Sequence, residues 1–275
     1  MLNRIRTAKK AEIHQLEALA QAHALPPALR GKRPSFSGAL QAAQQPLPII
    51  AEYKRASPSR GLICDTVTVE DAARQYTQQG ATCLSILTES SVFQGELGFL
   101  DRAAAASPLP LLRKDFIFHP LQICATAATP AAALLLIVRL TPDAAQLRAL
   151  REAAEAYGME AIVEVFDAQD LALARASGAK LIQVNARDLI RLEVDATRCL
   201  ALARQYPPQG QECWIAASGI CRGAQLPLLA AAGYRAALVG SALMAGGHPD
   251  AALRTLLHEA NSALSQTAAP TEGTL

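Results

Sequence analysis

Beyond residue 47, short apolar runs recur along the chain at intervals of roughly 20–35 residues, the length of one strand–loop–helix unit. They stand at 48–53 (PIIAEY), 82–87 (TCLSIL), 109–113 (LPLLR), 133–138 (ALLLIV), 160–165 (EAIVEV), 180–185 (KLIQVN), 213–217 (CWIAA) and 236–240 (AALVG). Between them lie Ala- and Leu-rich stretches with helical spacing, as at 143–157 and 167–177, and Gly80, Gly158, Gly178 and Gly233 punctuate the approach to several runs. Strict alternation of eight strands with helices predicts a parallel sheet. An open doubly wound sheet usually has fewer strands, and often a Gly-rich turn after the first. Here KRASPSRG follows the first run, with no GxGxxG pattern. The expected class is therefore α/β, a closed (β/α)8 TIM barrel.

The segment before residue 47 does not fit the repeat. Helical spacing of Leu2, Ile5, Ile13, Leu16 and Leu19 predicts a helix over 2–22, a link rich in Pro and Gly follows, and a second short helix is expected over 36–44. We read 1–46 as an N-terminal helical extension and 47–260 as the barrel, together one domain. Residues 261–275, small and polar, are expected to form a flexible C-terminal tail.

Composition narrows the function classes. Hydrophobic residues make up 51% of the 275 residues, and the net charge is +2 from 26 basic and 24 acidic side chains. That balance offers no broad field for nucleic acid or a membrane surface, so any anion site must be local. The apolar run 131–138 is too short to span a bilayer, and the basic N-terminus lacks the apolar core of a signal peptide, which points to the cytoplasm. Six cysteines form no CxxC pair and no His cluster accompanies them, so they read as free thiols and no metal is expected. The five histidines are scattered, which argues against a Ser-His or Cys-His pair.

In a barrel the reactive face is made by the C-terminal strand ends and the loops after them. The polar residues gather there: Glu52 and Lys54 at the end of the first run, Thr88 and Glu89 at the end of the second, Lys114 at the end of the third, Glu164 at that of the fifth, Asn185 and Arg187 at that of the sixth. Residues two apart share a strand face, so Glu52 and Lys54 point together into the mouth, as do Gln183, Asn185 and Arg187. Ser218-Gly219 and Gly240-Ser241 close the seventh and eighth runs with small residues before helix starts, where backbone amides can approach an anion. Ser57 and its neighbours add hydroxyls and a cation beside the first strand.

These motifs resemble, in order, those of the indole-3-glycerol-phosphate synthase family. The resemblance is carried by Ile50–Ser59 (IAEYKRASPS), Leu84–Thr88 with Phe93-Gln94-Gly95, Leu112–Phe116 (LRKDF), Val163-Glu164-Val165, Asn185–Leu189 (NARDL), Ser218-Gly219-Ile220 and Val239–Met244 (VGSALM). It implies ring closure of 1-(2-carboxyphenylamino)-1-deoxyribulose 5-phosphate with loss of carbon dioxide and water, a carboxy-lyase step of tryptophan biosynthesis. It also implies that no cofactor is needed and that the partner is a small phosphorylated substrate; the chain is expected to be a monomer. By the same resemblance Lys114 is the general acid, Glu164 the general base, Lys54 the holder of the substrate carboxylate and Glu52 the group that places Lys54. Asn185 and Arg187 orient the substrate, while Ser57, Ser218, Gly219, Gly240 and Ser241 take the phosphate. Phe93 either closes over the aromatic ring or packs its own loop.

This sequence departs from the family pattern in places. Ala217 stands where the family usually has glutamate before Ser-Gly, and Gln183 where it usually has glycine. Thr129-Pro130-Ala131 replaces the usual approach to the fourth strand. One polar group disappears and another arrives on the adjacent strand, so Gln183 is expected to make good hydrogen bonds lost with the glutamate. A different phosphate-binding barrel activity, such as an isomerase or a Schiff-base aldolase using Lys114, and a binding-only barrel are the rival readings.

Overall fold

The computed structural model describes residues 2–188 and 193–268. Leu189 of the sixth-strand motif and residues 269–275 of the expected tail lie outside the described residues. Eight parallel strands close into a barrel: β1 (Ile49–Tyr53), β2 (Cys83–Leu87), β3 (Leu111–Ile117), β4 (Ala133–Ile137), β5 (Glu160–Val165), β6 (Leu181–Asn185), β7 (Cys213–Ala217) and β8 (Ala236–Val239). Each pairs with its neighbours in chain order, and β8 closes on β1 through Ile49↔Ala237 and Ile50↔Leu238.

The strands are buried on both faces, which is why they read as continuous apolar runs. Ile50, Leu112, Leu135, Ile162, Ile215 and Leu238 fill the interior. Ile49, Leu84, Leu134, Val163, Ile182 and Trp214 face outward onto a ring of helices. That ring comprises α3 (Val69–Gln78), α4 (Phe99–Ala106), α5 (Pro120–Ala127), α6 (Ala144–Ala156), α7 (Ala168–Ala176), α8 (Arg198–Gln205), α9 (Gln225–Ala231) and α11 (Pro249–Ala268), with the single turn α10 (Ser241–Met244) before the last. Thr68, Asp143 and Asp167 cap α3, α6 and α7 by accepting the amides of Asp71, Gln146 and Asp170.

Three boundaries differ from the sequence expectation. β3 runs on to Ile117 because its charged residues are buried rather than frayed into a loop, with a register shift between Arg113 and Ile117. The segment after β1, read from the sequence only as a source of hydroxyls and a cation, forms a small hairpin, Ala56-Ser57 pairing with Gly61-Leu62. The tail expected from residue 261 is helical to Ala268, since α11 continues through it. Leu253, Leu256, Ala260, Ala263 and Leu264 do recur with helical spacing, a periodicity hidden by the polar residues among them.

The N-terminal extension consists of α1 (Leu2–Gln21) and α2 (Phe36–Ala42). The short α2 covers the N-terminal end of the barrel: Phe36 and Leu40 join the interior core, and Glu160 of β5 accepts the amides of Phe36 (2.6 Å) and Ser37 (3.1 Å). Arg33 holds the link by donating to the carbonyls of Ala127 (2.5 Å), Thr129 (2.6 Å) and Ala131 (2.6 Å) around the C-terminal end of α5.

The longer α1 docks through charge. Three consecutive residues of β3 are charged, and strand alternation sends Arg113 and Asp115 to the helix side and Lys114 to the interior. Asp115 pairs with Arg113 (2.8 Å) and with Lys9 of α1 (2.7 Å), and accepts from Thr88 (2.6 Å). Arg113 also donates to Thr126 of α5 (2.8 Å) and lies 3.5 Å from Glu12, which pairs with Lys9 at 2.6 Å. Burial alone would raise the Asp115 carboxyl, but the Arg113 and Lys9 cations outweigh it and hold the group well below the usual carboxylate range. Its stabilising contribution is therefore complete above about pH 4, where the unfolded carboxyl is ionised, and fades only as pH falls toward the depressed folded value. Replacing Lys9 by Met should cost about 3 kcal/mol of unfolding free energy, the low end for orphaning a buried charge because Arg113 and Thr88 remain on Asp115. Urea titration checks this, and a loss below about 0.5 kcal/mol would mean that the pair merely decorates the α1 contact.

Candidate active site

The C-terminal strand ends surround a cavity of about 340 Å³. Every residue to which the resemblance gave a catalytic or substrate-binding role lines it: Glu52, Lys54, Ser57, Phe93, Lys114, Glu164, Asn185, Arg187, Ser218, Gly219, Gly240 and Ser241. Thr88, Glu89 and Gln183, also expected at the mouth, do not, because Thr88 turns to Asp115, Glu89 to its own loop and Gln183 to Glu164. The lining residues come from seven of the eight strands or the loops that follow them, so only barrel closure brings them together.

A charged cluster occupies one part of the wall. Glu52 on β1 is buried, with one oxygen 2.7 Å from Lys54 Nζ and the other 4.0 Å from Lys114 Nζ. Ser85 on β2 donates to that second oxygen at 3.4 Å. Burial pushes the Glu52 carboxyl up, yet Lys54 and Lys114 with these hydrogen bonds more than reverse it, and its pKa lies below the ordinary value. Glu164 on β5 is buried too, and its balance falls the other way. Burial raises it, Glu52 adds to the rise, and Lys114 with hydrogen bonds from Asn185 and Gln183 offsets only part. Two neighbouring carboxyls are thus driven in opposite directions, the arrangement that assigns one to hold charge and the other to exchange a proton.

Small residues build another part of the wall. Ser218 and Gly219 both have left-handed φ, +67° and +75°, which turns the chain sharply after β7. Gln225 braces this loop, accepting the amides of Cys221 (2.8 Å) and Arg222 (3.0 Å) and donating to Gly219 O (3.1 Å). Gly240 lies so close to β1 that a Cβ there would stand 2.3 Å from Glu52 Oε1. Beside them the Ser57 hydroxyl is buried without a hydrogen-bond partner among the described residues, an atom available to a ligand. Asn185 accepts the amide of Arg187 at 2.9 Å, and the Arg187 guanidinium donates to Ser59 at 3.0 Å across the mouth.

Leu87, Phe93, Phe116, Leu135, Ile137, Ala217 and Leu238 supply apolar wall, enough for an aromatic ring. Phe93 packs its ring 6.1 Å from that of Phe116, so it both anchors its loop and lines the cavity. Leu238 belongs to the barrel interior and also reaches the cavity.

Sequence reasoning named Glu89 among the polar residues of the mouth and Arg113 and Asp115 within a motif, but missed that they hold this wall in place, and missed Lys9 altogether. Glu89 is buried and gathers its loop, accepting the amides of Ser91 (2.8 Å), Val92 (2.8 Å) and Phe93 (3.1 Å) and the Ser91 hydroxyl. Arg113, Asp115 and Lys9 fix the strand from which Lys114 projects. A buried carboxylate two to four residues before a turn was a legible signal for Glu89; for Lys9, more than 100 positions from its partner, the chain offers none. Of the departures, Ala217 leaves β7 without a carboxylate, and Gln183 points inward as expected, donating to Glu164. Among the described residues, no group of three or more His, Cys, Asp or Glu side chains is arranged to hold a metal, all six cysteines are free, and no helix is long and apolar enough to cross a membrane.

Comparison with known proteins adds a family. The family model described as indole-3-glycerol phosphate synthase matches residues 2–256. A protein of that description from Koribacter versatilis is 41% identical over 215 residues, covering 78% of this chain and 82% of the relative. Another from Mycobacterium ulcerans is 40% identical over 251 residues, covering 91% and 88%. Among solved structures, a 3-hexulose-6-phosphate synthase superposes with a TM-score of 0.59 at 15% identity, over 78% of this chain and 99% of that one. A mandelate oxidase variant superposes with a TM-score of 0.56 at 18% identity, over 80% and 74%. These two likenesses speak for the barrel alone.

The contact between Gly240 and Glu52 generates a prediction. Gly240→Ala should force the Glu52 carboxyl off Lys54 and cost about 1–3 kcal/mol, because Lys54, Lys114 and Ser85 pin the group that has to move. Denaturant unfolding with a crystal structure of the variant checks this; an undisturbed Glu52–Lys54 pair at unchanged stability would contradict it.

Proposed function

The chain belongs to the indole-3-glycerol phosphate synthase family, and we propose that the cavity at the barrel mouth performs this family's ring closure with Lys114 as acid and Glu164 as base. The activity is that of a carboxy-lyase in tryptophan biosynthesis. The substrate, 1-(2-carboxyphenylamino)-1-deoxyribulose 5-phosphate, carries two anionic ends, an aromatic ring and a ketone. The observation that carries the assignment is the pairing of Lys114 with a carboxyl driven upward in one cavity of about 340 Å³, with partner-free Ser57 on its rim.

The steps follow from what each group offers. The phosphate rests on Ser57 and on the backbone of Ser218-Gly219 and Gly240-Ser241, where left-handed turns and the start of α10 leave amides free of strand pairing. Lys54 receives the substrate carboxylate, Arg187 and Asn185 orient the chain between the two ends, and Phe93 and Leu238 enclose the ring. Lys114 donates to the ketone oxygen while the ring carbon bearing the carboxylate attacks the ketone carbon. A carbon–carbon bond forms and the oxygen becomes a hydroxyl. Carbon dioxide then leaves, and its bonding electrons restore the aromatic ring. Lys114, reprotonated from solvent, gives a second proton to the hydroxyl, which departs as water, and Glu164 takes a proton from the adjacent methylene to form the new double bond. Glu52 keeps its negative charge throughout, which holds both lysines in place. Each group comes from one chain, in keeping with a monomer acting on a small phosphorylated molecule; the free thiols suit the cytoplasm.

Two measurements test this reading. Indole fluorescence should report turnover by the purified chain, and Lys114→Ala should lower it by about 10²–10⁴-fold; a variant that keeps its activity refutes the acid. The kcat/KM profile should fall on the acid side as Glu164 takes up a proton, at a pH above the ordinary carboxylate range because burial raises the group. A limb within the ordinary carboxylate range speaks against Glu164 as the base.

A further inference from the structure

Gln183 does not line the cavity, yet it touches the proposed base. Glu164 and Gln183 are direct partners in the β5–β6 register, so their side chains stand next to one another inside the barrel. Gln183 is completely buried. Its Nε2 donates to Glu164 Oε2, while its Oε1, equally shut off from solvent, has no hydrogen-bond partner among the described residues. A buried amide oxygen without a donor is unfavourable, and an amide that served packing alone could be replaced by an apolar side chain of the same size without that cost.

Resting on the reading of Glu164 as the base, we infer that Gln183 is a positioning residue whose amide follows the protonation of Glu164. With Glu164 ionised, the amide N–H holds Oε2, as in this structure. Once Glu164 has taken the methylene proton, its O–H needs an acceptor. A half-turn about the last torsion of Gln183, a broad and roughly two-fold rotation, brings Oε1 to face it. The unpartnered oxygen is the idle half of this two-position device. No covalent bond changes; the proton comes from the substrate and returns to solvent or to the next intermediate.

The other groups that face Glu164 leave this task to Gln183. From β3, Lys114 contributes a cation, and from β1, Glu52 contributes an anion already paired with Lys54. Ile137, the register partner on β4, is apolar. Asn185 on β6 also bonds Glu164, but its Oδ1 is engaged by the amide of Arg187 at 2.9 Å.

The test uses the whole chain and the substrate. Gln183→Met keeps length and volume while removing both polar atoms. Its acid limb in kcat/KM should move upward by about one pH unit, the displacement expected when an ionised carboxylate loses one hydrogen bond. Gln183→Asn withdraws the amide by one methylene and should move the limb the same way; it decides the matter if the Met variant does not fold. In 15N-labelled protein the Gln183 side-chain amide resonance, identified by its loss in a variant, should titrate along with the limb. An unmoved limb in the folded variants overturns the inference, and so does an amide resonance indifferent to pH. Glu164→Gln separates the two levels. If that variant keeps the limb, the assignment of the base fails; if it abolishes the limb while Gln183→Met leaves it in place, only the role of Gln183 falls.

Discussion

Three adjacent charges on one buried strand are the constraint from which the site follows. A strand cannot show Lys114 to the interior without showing Arg113 and Asp115 to the helix layer, and charges there are costly unless paired. The chain meets that cost with Lys9 and Glu12 of α1 and with Thr126 of α5. The N-terminal extension is thus more than a cover. It neutralises the outer face of β3 so that the inner face can carry a lysine into the cavity, and the register shift between Arg113 and Ile117 marks where the strand gives way to do so.

The same economy of charge organises the interior. Lys54 and Lys114 share Glu52, which fixes that carboxyl as an anion, while Glu164 faces Lys114 without an ion pair of its own and is driven upward by burial. If the two carboxyls had equal environments, neither would be suited to a distinct role. The asymmetry comes from position on the barrel: β1 places Glu52 between the lysines, and β5 places Glu164 between apolar Ile137 and the amide of Gln183.

The barrel was legible in the chain because strands buried on both faces leave unbroken apolar runs, and the predicted runs match the observed strands to within two residues except at the end of β3. Candidate residues such as Glu52, Lys114 and Glu164 were legible for a related reason: a charge at the end of an apolar run has few structural uses. What stayed hidden depends on partners distant in sequence. Nothing near Lys9 announces that it meets Asp115, and the pairing of Gln183 with Glu164 appears only once β5 and β6 are in register. The helical continuation through 261–268 was obscured by polar residues interleaved with an apolar stripe.

Gly240 ties the two halves of the cavity together. It ends β8 and opens α10 in the part of the wall proposed to hold phosphate, and it also abuts Glu52 so closely that any side chain would intrude on the carboxyl. The loop proposed to bind the anion and the proposed acid–base cluster are therefore coupled, because β8 and β1 are hydrogen-bonded neighbours at the barrel's closure. A substrate with its phosphate seated against Gly240-Ser241 extends toward the lysines from a fixed origin. The distance from anionic tail to reacting carbon becomes a property of the barrel's closure rather than of a mobile loop, which is how a scaffold of rigid strands turns binding at one end into orientation at the other.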